Sequence, residues 1–549
     1  MSIGRFRVYL VAHKQGKMEL QRKKHAFVPG YVSPKQLKLE GFETPFEQSL
    51  NPNNRWVVLA KQIPWDEICN IYLKQVGIST TGRPPINPRV VVGSVIIKHL
   101  CNLDDRETVD QITENMYMQY FLGYSSFTNE APFDASLFVE FRKRLGSEQL
   151  NAINERIALL KANLDSKRRV SLVSKNKAND KDLKASSGEK DNKATEQTES
   201  PPSETTPANK GRLLMDATAC PQDIAYPTDL DLLSDAREKS EQLIDLLYDV
   251  ERHGQKPRTY RRIARKRYLS TAQKKNKTRK TLHFAIGSQL RYLARNLRSI
   301  DRLLDAYLEI PLHAKDHKYL LVINTVYQQQ KQMYEKGTHQ VDHRIVSIHQ
   351  PHVRPIVRGK SRAKTEFGAK IHVSMIDGLS FLDEISWEAF NEGSHMMQYI
   401  ERYKSRFGYY PKEVLADQIY CTRANRQSLK EKGIKLLSKP FGRPSAVSNH
   451  VRPGERNPIE GKFGQAKTAY GLDRIRARLK GTSESMIASI ILVLNLVKLA
   501  GVGILCLVEK IRAGFSAKLQ EFLNRLFSYQ KTDACIFTKN SLWNIIWAD

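Results

Sequence analysis

The sequence predicts a helical N-terminal module followed by an α/β layer on a mixed sheet, with a long basic helical insertion inside that layer. Three observations lead there. Helical periodicity fills residues 87–145, strand-like and helical runs alternate after residue 340, and an apolar-poor stretch over 166–210 separates the two parts.

The elements follow in order. Residues 1–50 are polar, basic and weakly patterned, and order is expected from Asn54-Arg-Trp-Val-Val-Leu-Ala onward. Val90 to Leu100 reads as a buried helix, and Asp104-Asp-Arg-Glu107 as a capping-box-like start for the next, which carries Val109, Ile112 and Met116. A third helix opens at Asp134 and ends on Arg142, Lys143 and Arg144. Short helices with a basic last member suit a helix-turn-helix-like DNA reader, and equally a packing module. Residues 51–165 are read as a helical DNA-binding domain. The stretch 166–210 holds too few apolar groups to offset chain entropy and is read as a disordered linker.

The second part, 211–510, opens on a buried strand carrying Asp216. Its insertion, 231–340, shows a helical stripe of Leu232, Ala236, Leu243, Leu246 and Leu247. The runs Arg258–Tyr268 and Gln273–Lys280 are strongly basic with Tyr260 and Tyr268 interleaved, which fits a phosphate-tracking surface or a solvated arm. A strand from Gly368 reaches Asp377-Gly378, a hairpin turn pair, and Leu379–Trp387 is the return strand. Then come a helix over 395–407, a strand Glu413–Asp417, a helix Thr422–Lys432, a strand from Ile434 and a helix bearing Glu460. The apolar run Met486–Cys506 approaches spanning length, but Asn495, Lys498, Gly501 and Gly503 interrupt it, so a buried core helix is expected and no membrane. A helical tail, 511–549, closes the chain.

Composition narrows the partners. Eighty-eight Lys and Arg face 58 Asp and Glu, a formal charge of +30. Such a surplus draws a chain to polyanions, nucleic acid first. The six cysteines show no C-x-x-C spacing, which supports neither a zinc ribbon nor a disulfide framework; with no signal peptide, a reducing cytosol is expected.

The most informative stretch is Arg456-Asn-Pro-Ile-Glu460-Gly-Lys-Phe-Gly-Gln-Ala-Lys467. In a helix, Glu460 and Lys467 lie two turns apart on one face, a metal ligand beside a phosphate-holding cation. The bland alternative is a solvated charged face. Asp216 and Asp417, each in a strand-like setting, would complete a three-carboxylate site.

With these residues the chain resembles the DDE transposases of bacterial insertion sequences, within the group named after insertion sequences four and five. Ile63-Pro-Trp, Gly82-Arg-Pro-Pro, Glu114-Asn-Met-Tyr-Met-Gln-Tyr-Phe-Leu-Gly and Phe141-Arg-Lys-Arg-Leu are similar to that group's N-terminal domain. The resemblance implies a ribonuclease-H-like fold holding two Mg²⁺ or Mn²⁺ ions. Asp216 would bridge both, and Asp417 and Glu460 would each hold one. Three converging carboxylates need a cation, and oxygen-only ligands suit these metals. Water would be the first nucleophile, and the hydroxyl released at the element's end would attack target DNA. Arg456 and Lys467, helped by Lys462 and Tyr470, are assigned to phosphate contacts, and Arg142, Lys143 and Arg144 to DNA.

The implied partners are double-stranded DNA, as terminal inverted repeats and target, and a second copy of the chain in a homodimer on DNA. The implied setting is a cytoplasmic, nucleoid-associated one. Two departures stand out: Pro453 occupies the group's Tyr position, and the insertion follows the first strand. Among rival residues, Asp377 is expected to make the turn and Asp383 to point outward, while His372 and Cys220 are read as structural. Two other readings are a catalytically inactive DNA-binding descendant and a metal-dependent nuclease that cuts without joining.

Overall fold

The computed structural model describes residues 50–76, 86–160, 209–357, 365–438 and 454–500. The expectations for the basic segment before residue 50, the linker 166–208, residues 501–510 and the tail 511–549 lie outside these. So do Gly82-Arg-Pro-Pro, Pro453, Cys506 and Cys535.

The N-terminal helices start where short polar side chains cap them. Asn54 accepts the Trp56 N–H at the head of α1 (Arg55–Gln62), and α2 (Trp65–Val76) follows. Asn87 caps α3 (Pro88–Leu100), whose Val90, Val91, Val92, Val95, Ile96 and Ile97 are buried nearly all round. Asp104 accepts the Glu107 N–H at 2.8 Å to begin α4 (Asp105–Glu114), and α5 (Met116–Leu122) ends on Gly123 at φ 93°. Asp134 opens a 3₁₀ turn (Ala135–Leu137), so the third expected helix, α6 (Phe138–Arg144), begins later than the sequence suggested. A helix over 147–160, α7, follows.

The sheet has six strands: β1 (Arg212–Pro221), β2 (Arg354–Val357), β3 (Thr365–Ile376), β4 (Leu379–Ser386), β5 (Glu413–Leu415) and β6 (Lys435–Leu437). Its order is β2-β3-β1-β5-β6, with β4 also on β3. Strands β1, β3 and β4 run antiparallel, while β5 is parallel to β1 and to β6, so the sheet is mixed. Asp377 and Gly378 take φ 49° and 75°, the left-handed pair a tight hairpin needs. Helix α13 (Met396–Phe407) leads into β5, and α14 (Arg423–Glu431) into β6. Helix α15 (Asn457–Tyr470) precedes α16 (Lys480–Ala500).

Between β1 and β2 runs the helical insertion: α8 (Asp229–Leu247), α9 (Val250–His253), α10 (Arg261–Ala272), α11 (Arg279–Leu304) and α12 (Ala314–Lys336). It has a core of its own in which Leu233, Leu243, Leu293, Ile300, Ile323 and Val326 meet. Leu246, expected in that stripe, is instead 59% exposed.

Helix α16 is long and apolar enough to cross a membrane, yet Ile487, Ile490, Ile491, Leu494 and Leu496 are buried in one cluster with Trp56, Phe121, Phe138, Val373 and Leu415. Its one buried amide is satisfied. Asn495 donates to Asn154 Oδ1 and to Ser380 O, both at 2.8 Å, and accepts the Ser380 N–H. α7, β4 and α16 are thereby tied at a single point.

A second junction corrects an expectation. Asp383 is fully buried rather than outward: it accepts from Arg406 at 2.8 Å, lies 3.0 Å from His372 Nδ1 and bonds Ser374 Oγ. Burial pushes its carboxyl up, but these partners outweigh burial and hold it below the usual carboxylate range. His372, stacked on Tyr399 with ring centroids 3.5 Å apart, and buried Cys220 are structural as expected. Arg406→Met leaves the buried Asp383 charge without its guanidinium partner. It should cost about 3–5 kcal/mol, read as a large drop in melting temperature at pH 7. A depressed carboxyl stabilises above its unfolded pKa, so the wild-type advantage should shrink as pH falls below 4 or so.

Candidate active site

Parallel pairing brings the two distant aspartates together. The β1–β5 register sets Leu213 beside Val414 and Leu214 beside Leu415. Two residues further along each chain stand Asp216, still in β1, and Asp417, just past the end of β5 at the head of a 3₁₀ turn. Each carboxylate accepts the N–H of its own next residue, Ala217 and Gln418, at 2.8 Å.

One guanidinium spans the pair. Arg456 reaches Asp216 Oδ2 at 3.2 Å through one terminal nitrogen and Asp417 Oδ1 at 3.0 Å through the other. A crossing pair lies alongside: Arg212, which opens β1, bonds Glu455 at 3.2 Å and lies 3.6 Å from Glu413. Adjacent Glu455 and Arg456 therefore dock the head of α15 onto the first half of β1 and the segment that follows β5. The helix then buries Ile459, Phe463, Ala466 and Tyr470, an i, i+4, i+7, i+11 row.

The row next to it carries Glu460 and Lys467, while Lys462 stands on the other flank of the buried row. Glu460 is exposed in the first turn of α15, four residues from Arg456, and Lys467 lies two turns further on, half-buried and engaged with a partner. Lys462 is half-buried, its Nζ 3.3 Å from Gln465; burial, then Lys498, hold its ammonium below the usual lysine range. On the open side Gly461 and Gly464 have nothing within 4 Å of where a Cβ would stand. Two exposed helix glycines cost about 1 kcal/mol each relative to alanine and leave the backbone open to close approach.

Four of the residues assigned to DNA make contacts within the fold. Tyr470 is only 9% exposed and packs in the core. Arg142 makes a two-pronged bond to Asp105 at 2.7 and 2.9 Å, which commits it to joining α6 to α4. Lys143 pairs with Glu140 at the surface, and Arg144 lies 3.5 Å from the Tyr72 hydroxyl. One acid was not foreseen. Glu392, in the 3₁₀ turn Glu392–His395, pairs with Lys370 at 2.7 Å, and its charge acts on Asp216. No spacing in the sequence signals it.

Among the described residues no three His, Cys, Asp or Glu side chains cluster as a ready metal cage. The donor chemistry nevertheless fits a hard divalent cation. Burial drives the Asp216 carboxyl above its ordinary pKa, and Glu392 and Asp417 add to the effect; Arg456 opposes it without cancelling it. A site that stays short of positive charge after taking up an arginine suits a further cation on oxygen ligands. Asp216 and Asp417 would hold it, with Glu460 on the adjacent helix.

Comparison with known proteins gives the following. Residues 44–144 match the family described as Transposase domain (DUF772), and residues 414–497 match Transposase DDE domain. The first span holds Arg142, Lys143 and Arg144; the second holds Asp417, Arg456, Glu460, Lys462, Lys467 and Tyr470. The chain is similar to an uncharacterized protein, ORF8 in the nfe locus of Rhizobium meliloti, 36% identical over 123 residues, 22% of this chain and 57% of that protein. It thus spans little more than half of that relative. No solved structure matches.

The raised carboxyl yields a signed prediction. Asp216 holds its proton more tightly folded than unfolded, so its ionised form costs stability, increasingly as pH rises through the carboxylate range. In metal-free buffer at pH 7, Asp216→Asn should melt above wild type, the advantage vanishing toward pH 3. Equal melting at both pH values, followed by circular dichroism, would contradict this account.

Proposed function

We propose that this chain, which belongs with the transposases of the DDE type, binds the terminal inverted repeats of an insertion sequence and cleaves and joins DNA there by phosphoryl transfer. The observation that carries the reading is the convergence of Asp216 and Asp417 on Arg456, at the head of the helix that bears Glu460 and Lys467.

Each side chain has a task. Asp216, Asp417 and Glu460 supply carboxylate oxygens for Mg²⁺ or Mn²⁺, two ions in this reading. Bound there, such ions would polarise a phosphodiester and sharpen an attacking oxygen. Arg456 keeps the two aspartates together and offsets their repulsion. Lys467 and Lys462, on the same helix, would take the phosphates beside the scissile bond, and the open glycines would let that strand approach. Water and then a DNA hydroxyl serve as nucleophiles, so no serine or tyrosine is nominated for a covalent intermediate.

The strand order, three antiparallel strands continued by two parallel ones with the acids on the central pair, supports a ribonuclease-H-like assignment. On this reading 51–165 contacts DNA, 211–510 is catalytic with the insertion 231–340 inside it, and two copies act together on DNA in the cytoplasm.

End-labelled DNA carrying the element's ends, incubated with the protein and Mg²⁺, tests the proposal: cleaved and joined products are expected. Binding alone would indicate an inactive descendant, and cleavage alone a nuclease. Asp417→Asn should bind DNA as wild type does and lower cutting by at least about 10³-fold, the scale of losing a main transition-state contact. Cutting retained by that variant would remove Asp417 from the site.

A further inference from the structure

From Arg258 to Lys280 the chain carries eleven Lys and Arg and no acid. Arg261 is held by Asp245 at 2.9 Å, beside Lys256 at 2.8 Å. The other ten are exposed, and among the described residues none of them pairs with a carboxylate. They form two groups. Arg262, Arg265 and Lys266 share a face of α10, with Arg267 beside them. Lys274, Lys275 and Lys277 line the turn into α11, which begins at Arg279 and Lys280.

The scaffold beneath is firm. Ala264 and Thr271 are buried, Gln289 donates to Ala264 O at 3.1 Å, Tyr268 donates to Asp231 at 2.8 Å, and Arg295 lies 4.5 Å from the Tyr260 ring centre. At the head of α10, residues Lys256 to Ile263 surround an open concavity of about 570 Å³. Like charges spaced three and four apart on a helix repel. Among the described residues no carboxylate offsets them here.

We propose that the exposed face of residues 256–280 is a docking surface for the phosphate backbone of duplex DNA, separate from the carboxylate site. Duplex DNA carries a charge about every 1.7 Å of its axis, dense enough to meet cations spaced along a 5.4 Å helical turn. A lipid surface is the weaker match: of the bulky aliphatic side chains in this stretch only Ile263 is strongly exposed, whereas a membrane-lying helix presents a row of them. The proposal rests on the preceding reading only in taking DNA as the polyanion. It implies binding without sequence preference, which would hold DNA while another surface selects it.

Anisotropy of a labelled random-sequence duplex of about 30 base pairs, titrated with the full-length protein across a range of KCl, tests it. Replacing Arg262, Arg265 and Lys266 with Gln should flatten the slope of log affinity against log salt by about 2.7, near 0.9 per lost cation, and weaken binding at least ten-fold at about 0.1 M salt. The variant keeping charge, Arg262→Lys with Arg265→Lys, should keep the slope. An unchanged slope in the triple variant, with circular dichroism confirming its fold, would overturn the proposal. So would loss of binding to phosphatidylserine vesicles with duplex binding intact. Metal-dependent cutting separates the two claims: a flattened slope in a protein that never cuts sinks the transposase reading alone, and an unchanged slope in one that cuts sinks only this surface.

Discussion

The bridge from Arg456 to Asp216 and Asp417 is the contact on which the site depends. The parallel pairing of β1 with β5 leads Asp216 and Asp417 toward the same guanidinium, and ionised together without it they would repel. A lysine offers one point charge, whereas a guanidinium presents separate terminal N–H groups and can face both acids at once. The two halves of the bridge differ in worth. Asp417 is half exposed, so its share is on the order of 1 kcal/mol or less, while Asp216 and Arg456 are each about one-fifth exposed and more strongly coupled. The same bridge fixes the start of α15, and from that start the helical period alone decides where Glu460, Lys462 and Lys467 stand.

Behind the site lies a core that the N-terminal helices share with the sheet. Trp56, Phe121 and Phe138 belong to one apolar cluster with Val373, Leu415 and Ile459, and α16 runs through it. Polar ties fix the alignment: Ser485 donates to Leu145 O at 2.7 Å, and the Asn154–Asn495 contact bridges to β4. A helical module that spends its apolar face in this way has little left for an independent core, and Arg142 is likewise spent on Asp105. DNA contact by this module would have to come from its solvent side.

The elements were largely legible because local chemistry specified them: Asn and Asp caps and the Asp-Gly turn. The three acids and α15 could be picked out by type and spacing. What crosses between elements was not. The i, i+4 pattern places Arg456 near Glu460 but cannot show that it turns toward two strands. Asp383 was misread because the β3–β4 register shifts between His372 and Val373. His372 sits opposite Glu384 and Val373 opposite Leu382, so Asp383 is an extra residue whose side chain follows no period of two. Glu392 was invisible since its role comes from a 3₁₀ turn stitched to the Asp417 segment by Asn425, which donates to both Gly393 O and Tyr420 O.

The position of the insertion has a thermodynamic logic. It lies between β1 and β3, which pair over nine residues, so folding must close a long loop before that pairing forms. Closure entropy grows slowly, about 0.6 kcal/mol for each doubling of loop length, and a loop that folds on its own core recovers far more than that. Its base is pinned by Tyr226 against Phe367, with ring centroids 5.5 Å apart, and by Arg354 to Glu388 at 2.9 Å. Strand pairing therefore does not depend on what the outer face of the insertion carries. A surplus of mutually repelling positive charge can accumulate there, and the chain's polyanion affinity can change without moving Asp216 or Asp417.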